Sequence, residues 1–154
     1  MFNKKTILIL ICLIIIAGIG SYILSNFLVP EKNPPQRYAG IIMGSEADAV
    51  IKRVCFNCHS NETTWPWYTS LPMVNLLIAS DVGEARDHLN FSNWDAIPED
   101  KRALYLNLVF DKIEQNEMPP MIYKLGHPEA KMTQDDLKIL KDAANSLGIS
   151  FNPN

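Results

Sequence analysis

Thr6 to Val29 reads TILILICLIIIAGIGSYILSNFLV and contains no charged residue. A helix needs about 20 apolar residues to cross a hydrocarbon core roughly 30 Å thick, so this run is long enough to span one. A cleaved signal sequence would carry a shorter apolar region, roughly 7–15 residues, with a small-residue cleavage site after it. Gly18 and Gly20 imitate such a site, but the apolar run continues through YILSNFLV. The expectation is an uncleaved anchor. Cys12 follows the bulky Ile11, where a lipidation site would want a small residue. Lys4 and Lys5 precede the run, while Glu31 and Lys32 beyond it offset one another. The positive-inside bias therefore makes residues 1–5 a cytoplasmic tail and residues 6–29 a single-pass span of the cytoplasmic membrane. Everything later faces the periplasm, or outside.

That topology divides the charge. The chain has 14 Lys and Arg against 17 Asp and Glu, and Lys4 and Lys5 stay behind, so the exported part holds 12 against 17, a formal charge of −5. Nucleic-acid phosphates ask for the opposite sign, so the partners expected are redox proteins, basic ones suiting this charge best, and no nucleic acid. Residues 30–44 open with Pro30, Pro34 and Pro35 and read as a Pro-rich linker, a semi-rigid spacer holding the domain off the membrane. Residues 45–154 remain for the exported domain. That is small for a self-sufficient core, and a bound prosthetic group would help to stabilise it.

The periodicity of this domain is helical. Ala47, Val50, Ile51 and Val54 recur at helical spacing after Ser45, with Asp48 placed as a weak capping-box partner. A second helix is expected from Pro72 through MVNLLIASDVGEARDHL, with Gly83 a candidate bend. A third follows Pro98, with Leu104, Leu108 and Ile113 on one face, and ends before NEMPPM, where two prolines forbid continuation. Thr133 caps a last helix whose stripe is Leu137, Leu140, Ala144 and Leu147, and Gly148 stops it. No run alternates with period two. The expected fold class is all-α.

The first of these helices runs directly into CFNCH, Cys55 to His59. Two cysteines three apart with a following histidine can hold zinc, shuttle a disulfide or carry a haem. Structural zinc needs four ligands, usually from two paired knuckles, and the only other cysteine is Cys12 in the apolar run. Redox CxxC pairs normally start a helix within a βαβ unit, whereas this pair ends a helix in a chain without strands. Haem attachment fits both spacing and location. Residues three apart on a helical turn share a face, so two thiols can form thioethers along one haem edge while His59 reaches the iron from the same side.

The order of parts resembles a class I c-type cytochrome: a helix into CxxCH, a Met-Pro loop late in the chain, and a closing amphipathic helix. CFNCHSNETTWPWY, DVGEARDHLNFSNW and EMPPMIYKLGHPEAKMT resemble, more closely, the family of haem-binding-domain proteins, small exported cytochrome-like domains. The likeness covers most of Ala47 to Leu147. It implies one covalent haem c on Cys55 and Cys58, His59 as proximal iron ligand and Met118 as the leading distal candidate. Ala85 before Arg86 departs from the glycine expected there and touches no ligand.

Other residues carry a sharp reading and a bland one. Trp65, Trp67 and Tyr68 could reach the haem edge and its propionates, or be core aromatics with a polar handle, the reading favoured for at least two of them. Arg86 could pair with a propionate or simply be solvated. Met121 and His127 are lesser distal candidates, and His88, Met73 and Met132 are read as surface or packing residues. His59 should donate its other ring nitrogen to a carbonyl, with Pro72 the candidate by analogy with cytochromes c. The function expected is one-electron transfer outside the membrane by an electron carrier that is not an enzyme. A haem-based sensor or accessory haem module is the alternative. A peroxidase-like enzyme is weakest, because no acid–base constellation accompanies the single motif.

Overall fold

The apolar run forms one long helix, α1, Lys4–Leu28, in a computed structural model that describes residues 3–28, 32–35 and 42–149. The tail's first two residues, positions 29–31 and 36–41 around the linker, and 150–154 lie outside the described residues. Lys4 to Leu24 has a mean hydropathy of 2.9 and none of its residues is fully buried, so this helix is long and apolar enough to cross a membrane. A signal sequence near an N-terminus would pass the same test. The described residues contain no strand, and the all-α expectation holds.

Beyond α1 the helices are α2 (Ser45–Val54), α3 (Phe56–His59), α4 (Val74–His88), α5 (Glu99–Glu114), α6 (Met121–Gly126) and α7 (Gln134–Ser146). Three 3-10 turns, Trp67–Ser70, Phe91–Ala96 and Pro128–Ala130, join them. The core forms where α2 packs on α7, with Ala47, Val50, Ile51 and Val54 against Leu140 and Ala144, and Phe91, Trp94, Leu106 and Phe110 completing it. Each of α2 and α7 buries one stripe at i, i+3, i+4 spacing, so helix-on-helix packing follows from the amphipathic pattern.

Several local expectations are corrected. Asp48 makes no capping box; its carboxylate accepts from the N–H groups of Ile42 (3.0 Å) and Met43 (2.8 Å), folding both buried residues onto α2. Gly44 turns the chain there at φ 109, a backbone region that suits glycine. The helix expected from Pro72 starts at Val74, after Met73 at φ 68, and Gly83 neither bends nor interrupts it. On α5 the buried stripe is Leu106, Phe110 and Ile113, while Leu104 and Leu108 are exposed. Both sets have helical spacing, and periodicity does not say which stripe faces the core. Thr133 does cap α7, in a full capping box with Asp136. Leu140 and Ala144 are buried, Leu137 is partly buried and Leu147 is exposed.

Candidate functional site

Cys55 closes α2 and α3 follows as one turn, in which the Cys58 and His59 amides both donate to the Cys55 carbonyl (3.1 and 2.9 Å). This turn keeps Cys55, Cys58 and His59 together at the junction of two helices, all half-buried. Both thiols are free. Burial first, then the neighbouring Cys58, pushes the Cys55 thiol up to about 12. Burial and Asp81 also raise Cys58. Redox-shuttling cysteines are shifted the other way, towards the thiolate.

His59 Nδ1 lies 2.9 Å from the carbonyl oxygen of Leu89, just beyond α4. A carbonyl can only accept, so Nδ1 carries the proton and Nε2 keeps its lone pair. This is the tautomer a metal-bound histidine needs, with the carbonyl orienting the ring. The acceptor is Leu89 and not Pro72. Burial lowers the imidazole's pKa, favouring the neutral ligand form against the carbonyls of Leu89 and Ala85, which act the other way. The ring packs edge-on to Phe91 at 6.5 Å, so the strand-like Leu89 and the 3-10 turn after it fix both hydrogen bond and tilt.

The aromatic and basic residues of the site are placed differently from expectation. None of Trp65, Trp67 and Tyr68 is buried; Trp67 is 79% exposed. Trp65 Nε1 donates to Asn33 Oδ1 (3.0 Å), and the Lys32 ammonium lies over its ring. Arg86 is not simply solvated. Its Nε donates to Ser60 O (2.8 Å), in the loop leaving His59, and its Nη2 to Lys32 O and Thr63 Oγ1, both at 2.9 Å. Each of these bonds goes to the protein, so Trp65 and Arg86 fasten residues 32–33 and the loop after His59. Within the expected linker, Lys32 and Asn33 are thus bonded to the domain.

Met118 lies in the loop between α5 and α6, 39% exposed, with its amide donating to Lys112 O (3.1 Å) and a cis bond to Pro119. Met121 opens α6 and is 67% exposed. His127 has both ring nitrogens engaged. Its Nδ1 donates to Glu129 Oε1 (2.9 Å), which leaves Nε2 to accept from the Tyr68 hydroxyl (2.6 Å). The ring also stacks on Tyr123 at 4.2 Å, and the Tyr123 hydroxyl accepts from Asn57, between the two cysteines. A histidine whose lone pair is already taken is a poor iron ligand in this conformation. Leu89, Asn57, Tyr123 and Glu129 were not legible as site residues, and neither was the bond that joins the candidates Tyr68 and His127. Backbone acceptors and contacts between distant loops leave no mark in residue spacing.

A haem needs apolar walls as well as ligands. The elements that adjoin α3 carry exposed large apolar side chains: Leu77 (63%) on α4, and Met121, Ile122 (80%) and Leu125 (74%) on α6, whose Tyr123 is bonded to Asn57. A flat macrocycle held at the turn could cover apolar side chains of this kind. The donor set fits too, with two thiols and one imidazole lone pair on a single turn.

An all-helical domain with this turn defines a haem-binding module. The family profile of the haem-binding domain matches residues 21–146, and the chain belongs to that family and takes haem as its cofactor. No curated protein and no solved structure matches the chain.

Proposed function

We propose that the protein is a membrane-anchored, mono-haem c-type cytochrome that passes single electrons outside the cytoplasmic membrane. The carrying observation is the His59 tautomer: Nδ1 is spent on Leu89, which leaves the Nε2 lone pair on the turn that bears both thiols. Cys55 and Cys58 would hold the haem by thioethers, His59 would be the proximal ligand and Met118 the distal one. The bound haem supplies an iron that gains and loses one electron. A half-buried neutral imidazole and a soft thioether both suit such an iron, and a His/Met pair raises its potential relative to harder ligands. The exported side, acidic overall, suits redox partners of opposite charge.

The test is a spectrum of the chain produced with haem-attachment machinery. Haem should survive denaturation and acid–acetone extraction in the wild type and be lost when Cys55→Ala and Cys58→Ala are combined. Met118→Ala should lose the weak near-695 nm band of Met-ligated haem and admit carbon monoxide to the reduced iron, while His127→Ala leaves both properties unchanged. Freely extractable haem would overturn the covalent reading. Carbon monoxide binding by the wild type would favour a sensor with an exchangeable ligand over an electron carrier.

A further inference from the structure

Two features bind α1 to the exported domain where it leaves its apolar stretch. The helix packs against α4, and Ser21 is half-buried while the other described α1 side chains are exposed. Just beyond α1, residues 32–35 form a strap bonded to the domain. Arg86 donates to Lys32 O, Asn33 Nδ2 to Thr63 O (3.0 Å), Trp65 to Asn33 and Asn61 Nδ2 to Pro35 O (3.2 Å). Asn61 and Thr63 are 8% and 6% exposed, so the strap is held by buried groups. The family match begins at Ser21, taking in the end of α1 and the strap as parts of the same unit.

Simple lengths then fix the domain's height. Lys4 to Leu24 rises about 30 Å, enough to fill a hydrocarbon core. Leu28 to Lys32 is four chain steps, at most about 14 Å when extended. Ser21 lies about 5 Å before Leu24 along the helix, so its cover sits near the outer edge of the core. The headgroup layer beyond that edge is only about 5–8 Å deep. On α4, Asp81, Glu84 and Asp87 are exposed, and carboxylates do not enter hydrocarbon, so α4 stops at the headgroups.

We propose that the haem domain rests on the outer lipid headgroup layer in one fixed orientation, mounted by α1, α4 and the strap, instead of moving on a tether. The inference depends on the uncleaved-anchor reading above. A rigid mount sets the height and angle at which a redox partner meets the haem edge, and so selects partners by geometry.

The experiment uses the full, haem-loaded chain in oriented multilayers of phosphatidylethanolamine and phosphatidylglycerol. Linear dichroism of the Soret band should be anisotropic for the wild type. It should fall to the isotropic value when a flexible Gly-Ser segment is inserted between Val29 and Pro30, a change that leaves every bond inside the domain in place. Arg86→Ala should act in the same direction by releasing the strap. Hydrogen exchange in lipid nanodiscs reads the mount without haem: the strap and α4 should exchange more slowly in the wild type than in the insertion variant. Isotropic dichroism of the membrane-bound wild type, or dichroism and exchange that the insertion leaves unchanged, would overturn the mount. A missing Soret band sinks the haem reading and leaves exchange to judge the mount. A shortened N-terminus with release from the membrane sinks the anchor and the mount together.

Discussion

Arg53 sits two residues before Cys55 and ties α2 to the start of α7 and the 3-10 turn before it. Its Nη2 lies 2.5 Å from Asp136 Oδ1, and its Nη1 donates to the carbonyls of Glu129 (2.6 Å) and Lys131 (3.3 Å). Hydrogen bonds involving a charged group contribute roughly 1.5–3 kcal/mol each when sheltered. Arg53 is 37% exposed and Asp136 12%, so solvent screening cuts the ion pair well below that, and the 3.3 Å bond adds little. Arg53→Ala should therefore destabilise the fold by about 2 kcal/mol at pH 7. The loss should depend on pH. Burial alone would raise the Asp136 carboxyl, but the bonds from Arg53 and Thr133 together outweigh it and hold the group below its usual value of 3.8. A depressed carboxylate stabilises the fold above its unfolded pKa, and that share disappears as pH falls through the folded value. Urea unfolding of the full chain in detergent, followed by far-UV circular dichroism, should show the gap between wild type and variant shrinking below about pH 4. A double-mutant cycle with Asp136→Ala isolates the pair. A loss under about 0.5 kcal/mol at pH 7, or a gap that is flat with pH, would refute the reasoning.

Three further outcomes are expected. Leu140→Ala should cost about 2–4 kcal/mol in the same unfolding assay, whereas Leu147→Ala, at an exposed position on the same helix, should stay within about 0.5 kcal/mol. Thr133→Ala removes the side-chain acceptor of the α7 capping box and should cost about 1 kcal/mol, with Thr133→Ser recovering most of it. A topology reporter fused after Asn154 should be active outside the cytoplasm, and mass spectrometry of the mature chain should retain the apolar run.

What the sequence determined by itself is what lies within one or two helical turns. An uncharged apolar run commits its backbone to a helix, because no other local structure satisfies its polar groups without water. CxxCH places two thiols and an imidazole on one turn wherever it folds as a helix, and the Thr133 cap and the Ala47–Val54 stripe depend on neighbours three and four residues away. The tertiary structure decided the rest. It chose Leu106, Phe110 and Ile113 over Leu104 and Leu108 as the buried stripe of α5, since two stripes of equal spacing differ only in what the helix packs against. It selected Leu89 rather than Pro72 to orient His59, because every residue offers the same carbonyl and only the path of the chain brings one within 2.9 Å. It engaged His127 with Tyr68, 59 residues away in the chain, and turned the proline-marked linker into a strap under Arg86. Composition describes how stiff a segment is, and the surface it meets decides whether that segment stays free.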